Sequence, residues 1–236
     1  MALLADTEIK QAIKRGEIKV EPFDDKECLQ PASYDVRVGD KAIITKSLSL
    51  EELEKLKKKV NTGTIKELQV DQEGSISIPP SGFGLVTTLE HIQLSPSYAG
   101  HIGMRSYYTR KGLVLLSGLQ IDPGFDGKLV LGLCNLSPRT ITIEYKDPIS
   151  TIEFHKLNMP VAKPYSGKYM AEQREGRIPA SDKDYLRTIE TMSISELTEA
   201  LLTLSRNVNT MATQIKLFWI PLILVLIAAV LSFFRG

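Results

Sequence analysis

Two short stretches of this chain carry the residue types that could do chemistry on a phosphorylated ligand. The first stretch, Gly103–Leu113, places Arg105, Ser106 and Arg110 around a strand end or turn. Guanidinium groups bind phosphate oxygens through paired hydrogen bonds, so this grouping suits a phosphate site. A surface cluster of salt bridges would explain the same residue types equally well, and both interpretations stay open at this point.

The second stretch, Leu119–Leu131, predicts a tight turn between two apolar β segments. Asp122 stands at the mouth of this turn, close to Phe125. A carboxylate at such a position could cap the turn, which is common. It could also orient a water molecule for attack on a bound substrate.

Composition and spacing exclude several other classes of chemistry. With 29 basic and 28 acidic residues, the net charge of +1 provides no overall field for nucleic acid, and none is expected as a partner. Cys28 and Cys134 are far apart and fit a reducing compartment. His91, His101 and His155 are scattered along the chain, and the zinc-deaminase spacing of histidine and cysteine is absent, so zinc chemistry is not expected.

The N-terminal half predicts one short helix followed by a β domain. Residues 7–15 fit an amphipathic helix that begins at Asp6 or Thr7 and ends at Gly16. The first residues lack a basic region, so no secretory signal is expected and the folded part is predicted to be cytosolic. A capping box at Ser49 predicts a further helix to about Val60, whose lysines most simply form a solvated face.

Between Pro31 and about Val161 the chain consists of short β-rich runs separated by proline, glycine and serine. This pattern is typical of a compact, mainly antiparallel β-barrel or jelly roll. The predicted strands are Lys41–Lys46, Ser75–Ile78, Gly84–Thr88, Leu113–Leu116, Lys128–Cys134, Thr140–Tyr145 and Ile149–Phe154.

The C-terminal part is predicted to leave the β domain through a polar arm or linker, 163–186. An apolar seam with alternating spacings of three and four follows it, which predicts a coiled-coil helix or, alternatively, a helix packed on its own β domain. The seam residues are Ile194, Leu197, Leu201, Leu204, Val208, Met211, Ile215 and Phe218.

The last apolar run, Leu217–Phe234, contains 18 residues, all apolar except Pro221 and Ser232. As a helix it would measure about 27 Å, enough for a slightly thin bilayer, and a buried core helix is the competing interpretation. The predicted location is therefore a membrane, reached through a single-pass C-terminal anchor in contact with lipid, with the catalytic domain cytosolic. The predicted domains are 1–170 for the β domain, 171–190 for the linker or arm, 191–216 for the coiled coil and 217–234 for the transmembrane anchor.

Several motifs in one unbroken order resemble the dUTPase/dCTP deaminase superfamily. Leu29–Gly39 is similar to its first motif, Met104–Leu113 to its G-R-S-x-x-x-R-x-G-L motif, and Ile121–Gly127 to its I-D-x-G-aromatic-x-G turn. Pro164 and Tyr165, followed by Gly167-Lys168-Tyr169, resemble the closing arm. The resemblance covers about residues 5–177.

The resemblance implies a dUTPase-like β-barrel that forms a homotrimer with three sites between subunits. Arg105, Ser106 and Arg110 would hold a deoxynucleoside triphosphate with Mg2+, and Asp35 would support the metal indirectly, through the phosphates. Asp122 would contact the sugar 3′-hydroxyl and act as the base for water. The remaining substrate-binding residues would be Gln120, Phe125, Lys168 and Tyr169, with Phe125 stacked on the deoxyribose.

Gly132 separates the two activities of the superfamily. Its deaminases carry a glutamate ten residues after the turn aspartate, and Gly132 occupies that position here. Since the group that would move protons during deamination is missing, the expected activity is hydrolysis of dUTP to dUMP and pyrophosphate. The alternatives are an inactive trimer that binds deoxynucleotides or serves as a scaffold, and a dCTP deaminase in which Glu153 replaces the glutamate.

Three substitutions set this chain apart from the family pattern. Met104 replaces the glycine before Arg105, and Tyr107 and Tyr108 replace small or aliphatic residues. Together they predict a phosphate loop that is partly filled, which favours the inactive alternative.

Overall fold

A computed structural model describes residues 2–45, 65–188, 194–219 and 221. The contacts between residues divide the chain into two units, one up to residue 193 and one from residue 194. The helix predicted to start at Ser49 lies outside the described residues.

The first unit is a curled antiparallel sheet, which confirms the mainly β prediction. Its main path runs β10-β8-β13-β4-β7-β11-β9, with β1 on β13, β2 on β7, and β3 and β5 on β4, while β6 and β12 form a separate pair. The strands are β1 Ala2–Leu3, β2 Ile18–Glu21, β3 Leu29–Gln30, β4 Ser33–Thr45, β5 Ile65–Gln69, β6 Ser75–Ile78, β7 Phe83–Leu94, β8 Tyr98–Met104, β9 Leu113–Leu115, β10 Gln120–Ile121, β11 Asp126–Asn135, β12 Ile141–Glu144 and β13 Pro148–Lys156.

The thirteen residues of β4 produce the curl. Its first half pairs with β13, from Tyr34 opposite Ile152 to Arg37 opposite Pro148. Its second half pairs with β7, up to Ile44 opposite Gly84. One strand therefore joins both parts of the sheet around a core of aliphatic and aromatic side chains.

The helices of this unit are short and lie at its edges. They are α1 Asp6–Lys14, α2 Val70–Glu73, α3 Ser106–Thr109, α4 Met170–Arg174 and α5 Ala180–Thr188. The predicted N-terminal helix is confirmed, but its N-cap is Ala5, whose N–H donates to the Glu8 carboxylate at 2.9 Å. In the stretch predicted as a polar arm or linker, Ile178 and Leu186 are buried and form a small cluster with Ile43.

Strand β7 continues six residues beyond its predicted end at Thr88. The prediction ended too early because a charged residue interrupts the apolar pattern of the strand. That residue, Glu90, is fully buried. Its carboxylate accepts hydrogen bonds from the Arg37 backbone N–H at 2.8 Å and from Arg37 Nε at 2.7 Å. The buried charge is thus compensated by Arg37 on the neighbouring strand β4, which the pattern of β7 alone does not reveal.

Glu90→Gln is expected to lower the free energy of unfolding by about 1.5–3 kcal/mol, the contribution of a hydrogen bond to a charged partner. The neutral amide keeps the shape of the side chain but loses the charge that compensates Arg37. Urea unfolding followed by circular dichroism measures the effect, with the exposed Glu144→Gln as the matched control. Equal midpoints for the two variants would contradict a structural role for Glu90.

In the second unit, α6 spans Ile194–Gln214 and a π-helical turn, Ile215–Trp219, follows it. The seam side chains Leu201, Leu204, Val208 and Met211 are 55–62% exposed in the single chain. Their association into a coiled coil remains a prediction.

The predicted membrane location is wrong for the part of the chain that the structure describes. None of its helices is long and apolar enough to cross a membrane. Helix α6 carries Glu196, Glu199 and Arg206, and Lys216 lies in the π-helical turn. Residues 222–234, the greater part of the predicted anchor at 217–234, lie outside the described ranges.

Candidate functional site

Asp35 on β4 and Arg105, which follows β8, form an ion pair. Arg105 Nε lies 3.1 Å from Asp35 Oδ2, and the Gln30 amide donates to the same oxygen at 3.4 Å. The sheet brings them together because Asp35 of β4 and Gly103 of β8 both pair with Thr151 of β13. Asp35 is only 3% exposed, and this burial raises the pKa of its carboxyl while the charge of Arg105 opposes the rise.

The three predicted phosphate ligands surround one short helix. Arg105 precedes α3 and Ser106 begins it. Arg110 closes the turn, since its N–H donates to the Ser106 carbonyl at 3.0 Å. Ser106 and Arg110 are exposed, and the Arg105 side chain is 38% exposed, so all three are accessible to a ligand.

Two of the three unusual residues near this helix point into the protein. Met104 packs against the core, and Tyr108 is buried with its hydroxyl donating to Asp147 Oδ2 at 2.7 Å. Tyr107 is 53% exposed, and its hydroxyl accepts from Lys111 Nζ at 2.6 Å. The expectation of a partly filled loop therefore reduces to Tyr107, because Met104 and Tyr108 serve packing.

A cavity of about 220 Å³ lies beside the turn that contains Asp122. Gln120 Nε2 donates to Asp122 Oδ1 at 2.7 Å, and Phe125 is buried with its ring centroid 5.9 Å from that of Tyr165. The cavity is lined by Ile102, Ser117, Gly118, Gln120, Ile121, Asp122, Phe125, Leu129, Val130, Leu131, Tyr165 and Gln173. Its wall combines apolar side chains with the polar groups of Ser117, Gln120 and Asp122, which could fix the orientation of a small polar ligand.

Two glycines of the turn allow the arm to close over the cavity. At Gly124, where φ is +89°, an added Cβ would lie 2.6 Å from the Cβ of Pro164. At Gly127 an added Cβ would lie 2.8 Å from the backbone carbon of Gln173. Both positions require glycine because the arm approaches the turn so closely.

The arm contributes different residues from those expected. Tyr165 and Gln173 belong to the cavity wall, whereas the predicted Lys168 and Tyr169 do not. Lys168 is exposed, with Nζ 5.4 Å from the centre of the Tyr169 ring. Tyr165 was part of the motif quoted for the arm. Gln173 lies in the predicted arm at 171–190, whereas Ser117 had no sequence signal, since it reaches the cavity through the fold of a distant segment.

At Gly132 the chain presents a hydroxyl where a carboxylate is expected in deaminases. Ser117 Oγ accepts from the Gly132 N–H at 2.7 Å and donates to the Val130 carbonyl at 3.3 Å. A Cβ on Gly132 would lie 3.7 Å from Ser117 Oγ and 3.4 Å from Phe83 Cζ, both ordinary contacts. Glycine is thus not required here by crowding, and the missing side chain is a property of the site.

Arg105, Ser106 and Arg110, the predicted phosphate cluster, lie at one end of β8, and Asp122 lies at the other end within one chain. Ile121 pairs with Gly100, so Asp122 is level with Ala99, whereas Arg105 follows the other end of the strand. Six residues of extended chain separate the two positions by roughly 20 Å. Within one chain the predicted phosphate cluster and Asp122 are therefore not brought together.

Comparison with known proteins gives consistent matches over this first unit. Residues 3–157 match the family model described as dCTP deaminase-like. The dCTP deaminase of Thermococcus sibiricus is 36% identical over 159 residues, covering 67% of this chain and 88% of that protein. The dUMP-forming dCTP deaminase of Aquifex aeolicus is 31% identical over 178 residues, covering 75% and 93%.

Two solved structures are similar at lower identity. The deoxycytidine triphosphate deaminase of Agrobacterium tumefaciens has a TM-score of 0.49 and 22% identity, covering 65% of this chain and 47% of that one. The dUTPase of phage phi11 of S. aureus has a TM-score of 0.40 and 14% identity, covering 64% and 96%.

Proposed function

This chain belongs to the dCTP deaminase-like family, and on that premise we propose that it hydrolyses dUTP to dUMP and pyrophosphate. The observation that carries the proposal is that Gly132 stands where family deaminases have a glutamate, with its N–H bonded to the hydroxyl of Ser117, which lines the cavity beside Asp122. Deamination needs a side chain that moves protons at the nucleobase. Hydrolysis at the phosphates does not need a proton-moving side chain at the nucleobase.

Asp122 is the proposed catalytic base. The Gln120 amide donates to one of its carboxylate oxygens, which orients the carboxylate and leaves the other oxygen for a water or for the sugar 3′-hydroxyl. Removal of a proton from that water as it attacks the α-phosphorus would leave dUMP and release pyrophosphate. General-base catalysis of this kind typically contributes about 10²- to 10⁴-fold.

Phe125 and Gln120 are proposed to select the nucleoside. Phe125 is buried against Tyr165, which supports a rigid aromatic face for the deoxyribose with little space for a 2′-hydroxyl. Gln120 and the backbone of 119–131 would face the pyrimidine edge. Lys168, which is exposed, and Tyr169, which is half-buried, are proposed to contact a bound nucleotide from the arm beside the cavity.

Arg105, Ser106 and Arg110 are proposed to bind the triphosphate. Asp35 holds the Nε edge of Arg105, so the guanidinium is positioned before the substrate arrives. The donor set here fits Mg2+ carried mainly by the phosphates, because Asp35 is already engaged by Arg105 and Mg2+ commonly uses substrate oxygens with one or two carboxylates. A bound Mg2+ would neutralise charge on the phosphates.

The separation of Arg105 and Asp122 along β8 supports a site shared between copies of the chain. We propose a homotrimer in which the phosphate cluster of one copy faces the Asp122 turn of the next. The exposed seam of α6 would add a coiled coil between residues 191 and 216, after the β domain and the arm at 171–190.

The test is pyrophosphate release by the full chain with dUTP, dCTP, dTTP and UTP, each with Mg2+ or EDTA. The proposal expects Mg2+-dependent release from dUTP and little from UTP. Nucleotide binding without turnover would instead support an inactive deoxynucleotide-binding protein, the second candidate, which Tyr107 beside Ser106 favours.

Gly132→Glu is expected to reduce dUTP hydrolysis about tenfold or more and to produce detectable ammonia from dCTP, because it places a proton-moving carboxylate near Ser117. Colorimetric ammonia and pyrophosphate assays on the same sample measure both products. Gly132→Gln is the matched control, with similar size but no acid. Unchanged dUTP hydrolysis in both variants would show that the nucleobase does not bind in this cavity.

A further inference from the structure

Three potential metal ligands converge on one face of the sheet, beside Gln120, which pairs with His101. They are His101 on β8 and Glu153 and His155 on β13, and one ligand atom from each lies within 4.8 Å of the others. The strand register explains this arrangement, since His101 pairs directly with Glu153 and His155 follows two residues later on the same side. The two imidazole ring centroids are 4.5 Å apart.

The most enclosed of the three, His155, has a ring nitrogen without a hydrogen-bond partner. Its Nε2 is buried and unpaired among the described residues, and it lies 3.7 Å from Glu153 Oε2. The His155 side chain is only 12% exposed. Buried polar atoms in proteins are nearly always paired, so an unpaired imidazole nitrogen facing a carboxylate and a second imidazole indicates a missing partner.

The donor set selects a particular class of cation. Two imidazoles and one carboxylate suit Zn2+ and related transition metals, whereas Mg2+ and Ca2+ prefer oxygen ligands. Zinc bonds of about 2.0–2.2 Å require the three side chains to move slightly inward. Glu153 can supply this movement because its side chain is 50% exposed.

We propose that this chain binds one Zn2+ through His101, Glu153 and His155, with a fourth position open to water. The ion links β8 to β13, the strands that position Arg105 and Thr151. The scattered histidines of the sequence had argued against zinc, but the register of two distant strands brings two of them together. This site is separate from the magnesium proposed at the phosphates and does not depend on the proposed hydrolysis.

The test is titration of the full-length, untagged, chelator-treated protein with Co2+, a spectroscopic substitute for Zn2+. One Co2+ per chain is expected, with the visible absorption of a four-coordinate ion, and one equivalent of Zn2+ should displace it. Zn2+ should also raise the midpoint of thermal unfolding, since a ligand that binds only the folded state stabilises it. Mg2+ at the same concentration should do neither.

His101→Asn and Glu153→Gln are expected to weaken Co2+ binding by at least about 100-fold, because even residues that only orient ligands cost 10- to 100-fold. Glu153 is half-exposed, so its variant should fold, as circular dichroism will verify. His91→Asn is the matched control, since His91 bonds to Asp126 outside the cluster. Absence of Co2+ binding in the unmodified chain, or binding that persists in both variants, would overturn the proposal.

Discussion

Asp122→Asn is expected to reduce the rate of pyrophosphate release from dUTP by about 10²- to 10⁴-fold. The asparagine oxygen can still accept the hydrogen bond from Gln120, so the turn and the cavity should keep their shape. Asparagine cannot take a proton from water, so the loss should appear in kcat. Nucleotide affinity, measured by calorimetry, should change by no more than about threefold.

Asp71→Asn is the control for this experiment, because Asp71 is exposed on α2 and is not part of the cavity. It should retain the kinetics of the unmodified chain. If Asp122→Asn also retained its kcat, Asp122 would be a turn-capping residue and the base would have to be sought elsewhere.

Arg105→Met is expected to lower kcat/KM for dUTP by about 10²- to 10³-fold, the usual effect of removing one preorganised donor from a developing charge. It should also destabilise the protein, because Asp35 would remain buried without its cation. The pKa of Asp35, already raised by burial, should rise further once the opposing charge of Arg105 is lost.

The double variant Arg105→Met with Asp35→Asn separates the two effects. Replacing the buried carboxylate with an amide removes the uncompensated charge, so the unfolding midpoint should return toward that of the unmodified chain. Activity should stay low, because the phosphate donor is still missing. Recovery of activity in the double variant would show that Arg105 acts only as the partner of Asp35.

The fold was predictable where local pattern and tertiary packing agree. Strand β6 coincides with its predicted limits, Ser75–Ile78, because alternation along the strand reflects burial on one face. Strand β7 was predicted too short, because a glutamate is typical of the protein surface. The burial of Glu90 depends on its partner Arg37, which lies on another strand. Likewise, the polar composition around Ile178 and Leu186 concealed their packing on Ile43.

The candidate site was predictable in its motifs but not in its geometry. The sequence motifs predicted Arg105 and Asp122 as site residues, which stays a prediction, and their positions at opposite ends of β8 follow only from the pairing of β8 with β10. The direction of the Tyr108 side chain also depends on a distant partner, Asp147. The pairing of His101 with Glu153 also depends on the strand register, between two residues 52 positions apart, which no local pattern encodes.

The most direct test of the central claim measures ammonia and pyrophosphate together after incubation of the full chain with dCTP and, separately, with dUTP in Mg2+. A hydrolase that has Gly132 in place of the deaminase glutamate should release pyrophosphate from dUTP and no ammonia from dCTP. Ammonia from dCTP at a rate comparable to pyrophosphate release would contradict the account, because it would mean that the cavity moves protons at the base despite Gly132.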